Sequence, residues 1–133
     1  MGYRSDITSI IYGEAEKVDA FIAKHKLLGN TVFEDFKGDL KIGSTPFDTV
    51  PGRMIELIGE GWKWYGGYPQ VDAWMALLID AQDFGLEYEH IRVGEDYEDN
   101  DLKMSPDSTG VLGLVRTITR DYNLTIEGED HNG

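Results

Sequence analysis

The sequence predicts an α+β domain in which an antiparallel sheet carries its helices on one face. Three observations lead there. The stretch from Met54 to Asp96 passes from a strand-like run through an aromatic, glycine-rich turn to an amphipathic helical segment and a second strand-like run. A strand-like run followed by a helical one also fills the chain from Tyr3 to Leu28. Hydrophobic residues make up 41% of 133 positions, enough for one compact domain around one core.

In order, Tyr3 to Tyr12 reads as a strand, with Tyr3, Ile7 and Ile11 on one face and Arg4, Asp6 and Thr8 on the other. Gly13 closes it. Glu14 to Leu28 reads as a helix: acids open it, Val18, Phe21, Ile22, His25 and Leu28 line one side, and Lys24 and Lys26 lie where the dipole favours cations. Gly29-Asn30 stops it. The pattern is weakest from Asn30 to Arg53. Thr31 to Phe36 fits a short strand or another helical turn, Leu40 to Ile42 a short edge strand, and Pro46 and Pro51 mark a loop.

Met54 to Trp64 is the next strand, and its apolar phase changes around Gly59 and Gly61, which predicts a bulge or a close backbone approach. Pro69 suits a first helical position, because its missing N–H would have had no partner there. Val71, Trp74, Met75, Leu78 and Ala81 then recur at helical spacing, and Gly85 sits where a left-handed cap is expected. Leu86 to Val93 is a further strand, GEDYEDND an acidic loop, and Val111 to Asp121 a last β-branched strand. One domain spans residues 1–126, and 127–133 form a flexible polar tail.

The order β-α-β-β-α-β predicts a ferredoxin-like sheet with two helices on one face and an appended C-terminal strand. In that layout the first strand lies between the third and fourth, antiparallel to both. Its beginning therefore neighbours their ends. Tyr3-Arg4-Ser5-Asp6 would meet Trp62-Lys63-Trp64-Tyr65 and Ile91-Arg92-Val93-Gly94-Glu95-Asp96 across strands about 4.8 Å apart. The amino end of the second helix would open there as well.

This convergence yields the candidate ligand site: Tyr3, Arg4, Asp6, Lys63, Trp64, Tyr65, Tyr68, Arg92 and Glu95. Aromatic rings would hold a planar group, and the cations and helix end an anion. The competing expectation is that Arg4 and Arg92 only pair with Asp6, Glu95 or Asp96, as strand-end ion pairs worth under about 1 kcal/mol.

Composition narrows the function classes. Twenty-five acidic residues against 12 basic ones give a formal net charge of −13, which disfavours binding to DNA or RNA directly. No cysteine is present to supply a disulfide, a thiol nucleophile or a metal ligand. No apolar run reaches the length of a membrane span, and the opening MGYRSDITSI lacks the basic and apolar regions of a signal peptide. His25, His90 and His131 are too dispersed to form a metal site, and His25 reads as a packed, satisfied residue. The acids Glu95, Asp96, Glu98, Asp99 and Asp101 lack the glycine and terminal glutamate of a calcium loop. No catalytic signature is found and no metal or cofactor is predicted.

The combination of YRSD, WKWY followed by VDAW, and IRVGEDYED resembles a family of small acidic proteins recurrent in tailed-phage genomes. The likeness runs from Tyr3 to about Arg120 and is weakest between Asn30 and Arg53. It implies an accessory protein that acts in the cytoplasm of the infected bacterial host, by binding, against host defence or on host machinery. No catalytic residue comes with it. Two modes of binding follow. In one, the converged motifs sequester a small anionic, nucleotide-like immune signal. In the other, Glu95, Asp96, Glu98, Asp99 and Asp101 help an acidic surface mimic nucleic acid and block a basic host protein. A sheet face left open by the helices would also suit a homodimer or higher oligomer.

Overall fold

In the computed structural model the elements run β1 (Ser5–Glu14), α1 (Ala15–His25), β2 (Leu40–Ser44), β3 (Gly52–Trp62), α2 (Pro69–Asp83), β4 (Glu87–Val93), β5 (Asn100–Met104), β6 (Leu112–Leu114), β7 (Ile118–Arg120) and β8 (Thr125–Ile126). It describes residues 4–27, 29, 33, 36, 39–44, 52–64, 67–94, 100–106, 112–114, 118–120 and 124–126. The tail from Glu127 to Gly133 lies outside them.

The chain is α+β, with two helices and an antiparallel main sheet of order β5-β4-β1-β3-β2-β8. β1 lies between β3 and β4, antiparallel to both, as its sequence position demands. The whole sheet departs from a strict four-strand ferredoxin-like order, because β5 and β8 extend its two edges. The stretch from Val111 to Asp121 is not an appended strand. Leu112–Leu114 and Ile118–Arg120 instead pair with each other as a separate two-stranded sheet. The GEDYEDND run also yields part of itself to structure: Asn100 and Asp101 begin β5, where alternation with Leu102 and Met104 lets the segment join the edge of β4.

The helices cover the face bearing Ile7, Ile11, Ile55 and Leu57. Phe21 and Val18 of α1, and Trp74, Leu77, Leu78 and Ala81 of α2, complete that core. The opposite face is not open where the sequence predicts an open surface. Ile10, Tyr12, Met54 and Ile91 are buried there, with Leu112 and Ile118 of the small sheet packed against them. β1 is therefore apolar on both sides in its middle, as strands covered on two faces are.

Helix α1 ends earlier than Gly29 would place it. Lys26 adopts φ 51°, its N–H bonds Ala23 O at 3.3 Å, and Leu27 N–H reaches Ile22 O at 3.2 Å. This capping arrangement closes the helix with a buried Leu27 over its last turn. α2 ends the same way at Gly85, φ 90°, with Leu86 N–H on Ala81 O at 2.9 Å, and it begins at Pro69. The predicted bulge is present: Ser5 faces Trp62 while Ile7 faces Gly59, leaving one extra residue on β3, and Gly61 takes φ 65°.

Candidate functional site

The bulge positions the site. Arg4, just before β1, donates from Nη1 to Gly61 O at 2.9 Å, and Asp6 Oδ1 accepts Gly61 N–H at 2.8 Å. The two side chains hold Gly61 by its N–H and its carbonyl, in two successive peptide units, and fix where β3 releases Trp62, Lys63 and Trp64. Trp62 turns back over Gly59, so closely that a Cβ there would fall 2.3 Å from the indole. Only glycine fits beneath that ring.

Phe36 completes the wall. Its ring is parallel to Trp62 at 5.3 Å between centroids and stacked on Trp64 at 5.8 Å. Phe33 and Phe36 both stand nearly perpendicular to the fully buried Trp74. Beside this cluster opens a cleft of about 270 Å³, lined by Arg4, Lys63, Trp62, Trp64 and Phe36, with Tyr68, Gln70 and Val71 from the start of α2. The first turn of a helix brings N–H groups and partial positive charge to that wall. Lys63 is exposed and has no ion-pair partner among the described residues.

Of the residues predicted to converge, Arg4, Lys63, Trp64 and Tyr68 share this cleft. Two others, Asp6 and Arg92, are placed differently. Asp6 lies on the far side of the bulge, acting on Gly61 from behind. Arg92 does not line the cleft: Nε donates to Asp101 at 2.7 Å and Nη1 to Ser5 Oγ at 3.1 Å, an ion pair with an acid other than the expected Asp6, Glu95 or Asp96. Trp64 is a wall rather than a platform. It is 9% exposed, stacked on Phe36 and near the His90 ring at 6.0 Å. Tyr68, 38% exposed, is the most exposed of the described rings that line the cleft. Tyr3, Tyr65 and Glu95 lie outside the described residues, as do Asp96, Glu98 and Asp99 of the alternative acidic surface.

Phe36 was missed as a site residue from sequence, whereas Trp62 was expected at the converging edge though not among the ligand-binding residues. Trp62 was legible, since it directly precedes Lys63, but Phe36 sits in the segment of weakest pattern.

Behind the wall, Ser9 Oγ and His90 Nδ1 hydrogen-bond in the core, at 0% and 1% exposure. Burial, reinforced by the nearby Lys103 and Arg92 charges, pushes His90 down to about 4 against the opposing pull of Asp101. A neutral, enclosed imidazole of this kind is a structural partner for the serine, with no opening for a substrate. His25 is likewise satisfied, with Nε2 2.5 Å from Asp80 Oδ2, which also receives Lys24 Nζ at 3.0 Å. Those two bonds hold the Asp80 carboxyl below its usual range.

Among the described residues, no three side chains are grouped to hold a metal ion, and no helix is long and apolar enough to cross a membrane. Comparison with protein-family models, curated proteins and solved structures gives no match.

Proposed function

We propose that the chain is a binding protein of phage type, acting against host defence in the infected bacterial cytoplasm by sequestering a small anionic, nucleotide-like signal. The observation that carries this reading is the placement of Lys63 and Arg4 beside Tyr68 and the first turn of α2 in one cleft of an otherwise acidic protein. The cations and helix end would take phosphate, and Tyr68 would take the base. Stacking of that kind is worth about 1–3 kcal/mol per base. The four strands β4-β1-β3-β2, joined through α1 and α2, are best read as a ferredoxin-like core with strands added at both edges, which supports a scaffold role for the sheet.

Calorimetry with a panel of cyclic and ADP-ribose-type nucleotides tests the proposal. Binding is expected for at least one, weakened by Lys63→Glu and by Tyr68→Ala. Heat that is absent with every member, or unchanged in both variants, overturns it.

The net charge of −13 favours a second reading, in which the protein inhibits a host complex by occupying a basic surface. That inhibition would weaken steeply with added salt, whereas nucleotide capture in a walled cleft would weaken less. Self-association, if it accompanies either mode, is read directly by light scattering.

A further inference from the structure

β5 ends the main sheet, and its outer side meets no other strand among the described residues. Ser105 pins it to β4: its N–H donates to Tyr88 O at 2.9 Å, and its hydroxyl accepts Tyr88 N–H at 3.0 Å. In an antiparallel ladder the N–H and C=O of one residue point to the same side, and the side alternates along the strand. Counting back from Ser105, Lys103 and Asp101 turn their main-chain groups toward β4. Asn100, Leu102 and Met104 turn theirs outward, since the pairing with β4 runs without a shift. Such a row of free groups is a template for another strand. At its middle stands Leu102, a large apolar side chain that is 56% exposed. Asp101 and Lys103 flank it, both exposed. Asp101 uses Oδ2 on Arg92, and Lys103 has no ion-pair partner among the described residues.

We propose that this edge pairs with the same edge of a second copy, antiparallel, about a two-fold axis at Leu102. In that register Asp101-Leu102-Lys103 is its own complement. Leu102 meets Leu102 of the second copy as a hydrogen-bonded pair, as its outward main-chain groups require. Asp101 then faces Lys103 of the second copy, and Lys103 faces Asp101, as non-hydrogen-bonded pairs, whose side chains stand closest. Moving the axis by one residue sets Asp101 against Asp101 or Lys103 against Lys103, so charge selects one register. The net charge of −13 opposes association at long range, but physiological salt screens it beyond about 8 Å, and groups in contact are screened less. The proposal does not rest on the nucleotide reading, which concerns the cleft beside Trp62.

The test is sedimentation velocity over a concentration series in physiological salt, with amide exchange followed on the same samples. A monomer–dimer equilibrium is expected. The Leu102 and Met104 amides should gain protection as the dimer fills, whereas that of Lys103, already turned to β4, should not change. Lys103→Glu should weaken the dimer by roughly tenfold, because opposite-charge pairs become like-charge pairs. Asp101→Lys should do the same. The two variants mixed should associate as the wild type does, since the acids of one then face the lysines of the other. If Asp101→Lys, which also loses its pairing with Arg92, does not fold, Lys103→Glu decides alone. A chain that stays monomeric up to about 1 mM, a dimer indifferent to Lys103→Glu, or protection centred away from Leu102 would overturn the proposal. So would alternating protection in a protein that sediments as a monomer, since the chain would then be covering its own edge.

Discussion

The backbone N–H of Leu112 donates to Glu89 Oε1 at 2.9 Å, so a carboxylate in the middle of β4 anchors a strand that begins 23 positions later. The other oxygen of Glu89 accepts the Tyr12 hydroxyl at 2.6 Å, and Glu89 itself is fully buried. A charged acceptor with directed donors on both oxygens fixes position better than apolar packing alone.

Replacing that acceptor should loosen the small sheet. Glu89→Gln retains an acceptor for one donor and an N–H for the tyrosine oxygen, and should cost about 1 kcal/mol. Glu89→Leu removes the acceptor of both the Leu112 N–H and the Tyr12 hydroxyl, and leaving a buried N–H without its acceptor costs about 1–3 kcal/mol. Urea unfolding gives the totals, and amide exchange at Leu112 and Leu114 should speed up before the rest of the sheet.

His90 sets a pH window. Its folded value of about 4 lies below the ordinary 6.5, so between those values the unfolded chain holds a proton that the folded chain lacks. Stability is therefore undiminished above about pH 6.5 and declines as pH falls toward 4, by up to about 3 kcal/mol. Asp80 acts lower: its depressed carboxyl contributes above its ordinary value of 3.8, and that contribution fades as pH falls further. Urea midpoints measured from pH 7 to 4 should slope downward in the wild type and be flatter in His90→Gln.

Gly59→Ala should disturb the cleft through Trp62. The added methyl meets three indole atoms at 2.3–2.5 Å, and the ring cannot move without leaving Phe36. A loss of about 1–3 kcal/mol is expected, as for other overpacked sites. A changed near-ultraviolet circular dichroism signal and weaker nucleotide binding should accompany it.

Lys26→Gly should stabilise. The residue holds φ 51°, a conformation that costs most side chains about 1–2 kcal/mol and glycine almost none. After the entropy glycine loses on folding, a gain of about 0.5–1 kcal/mol remains, readable as a raised melting temperature.

Much of the frame was legible because it follows from local signals that tertiary packing reinforced. Pro69 and Gly85 bound α2, and the glycines at 59 and 61 forecast the bulge. The position of β1 between β3 and β4 follows from element order and crossover handedness. The helix end at Lys26 was not legible, because the buried Leu27 and its bond to Ile22 O decide it over the glycine three residues on. β5 was hidden in an acidic run whose strand character appears only against the edge of β4. At the site, Arg4, Lys63, Trp64 and Tyr68 came through, and Arg92 did not. Arg4 and Lys63 reach the cleft, but which faces of Trp62 and Trp64 are free depends on Phe36, whose approach no spacing reveals.

The central place of β1 also governs how the chain must fold. Ser9 and His90 are 81 positions apart, and the partners on β3 are scarcely nearer in sequence than the middle of the chain. During synthesis at about 5–20 residues per second, the first strand emerges seconds before either neighbour exists. Its isoleucines, destined for enclosure on two sides, must wait in a form that the ribosome surface or a chaperone tolerates. Closure of so long a loop makes assembly slow compared with helix formation.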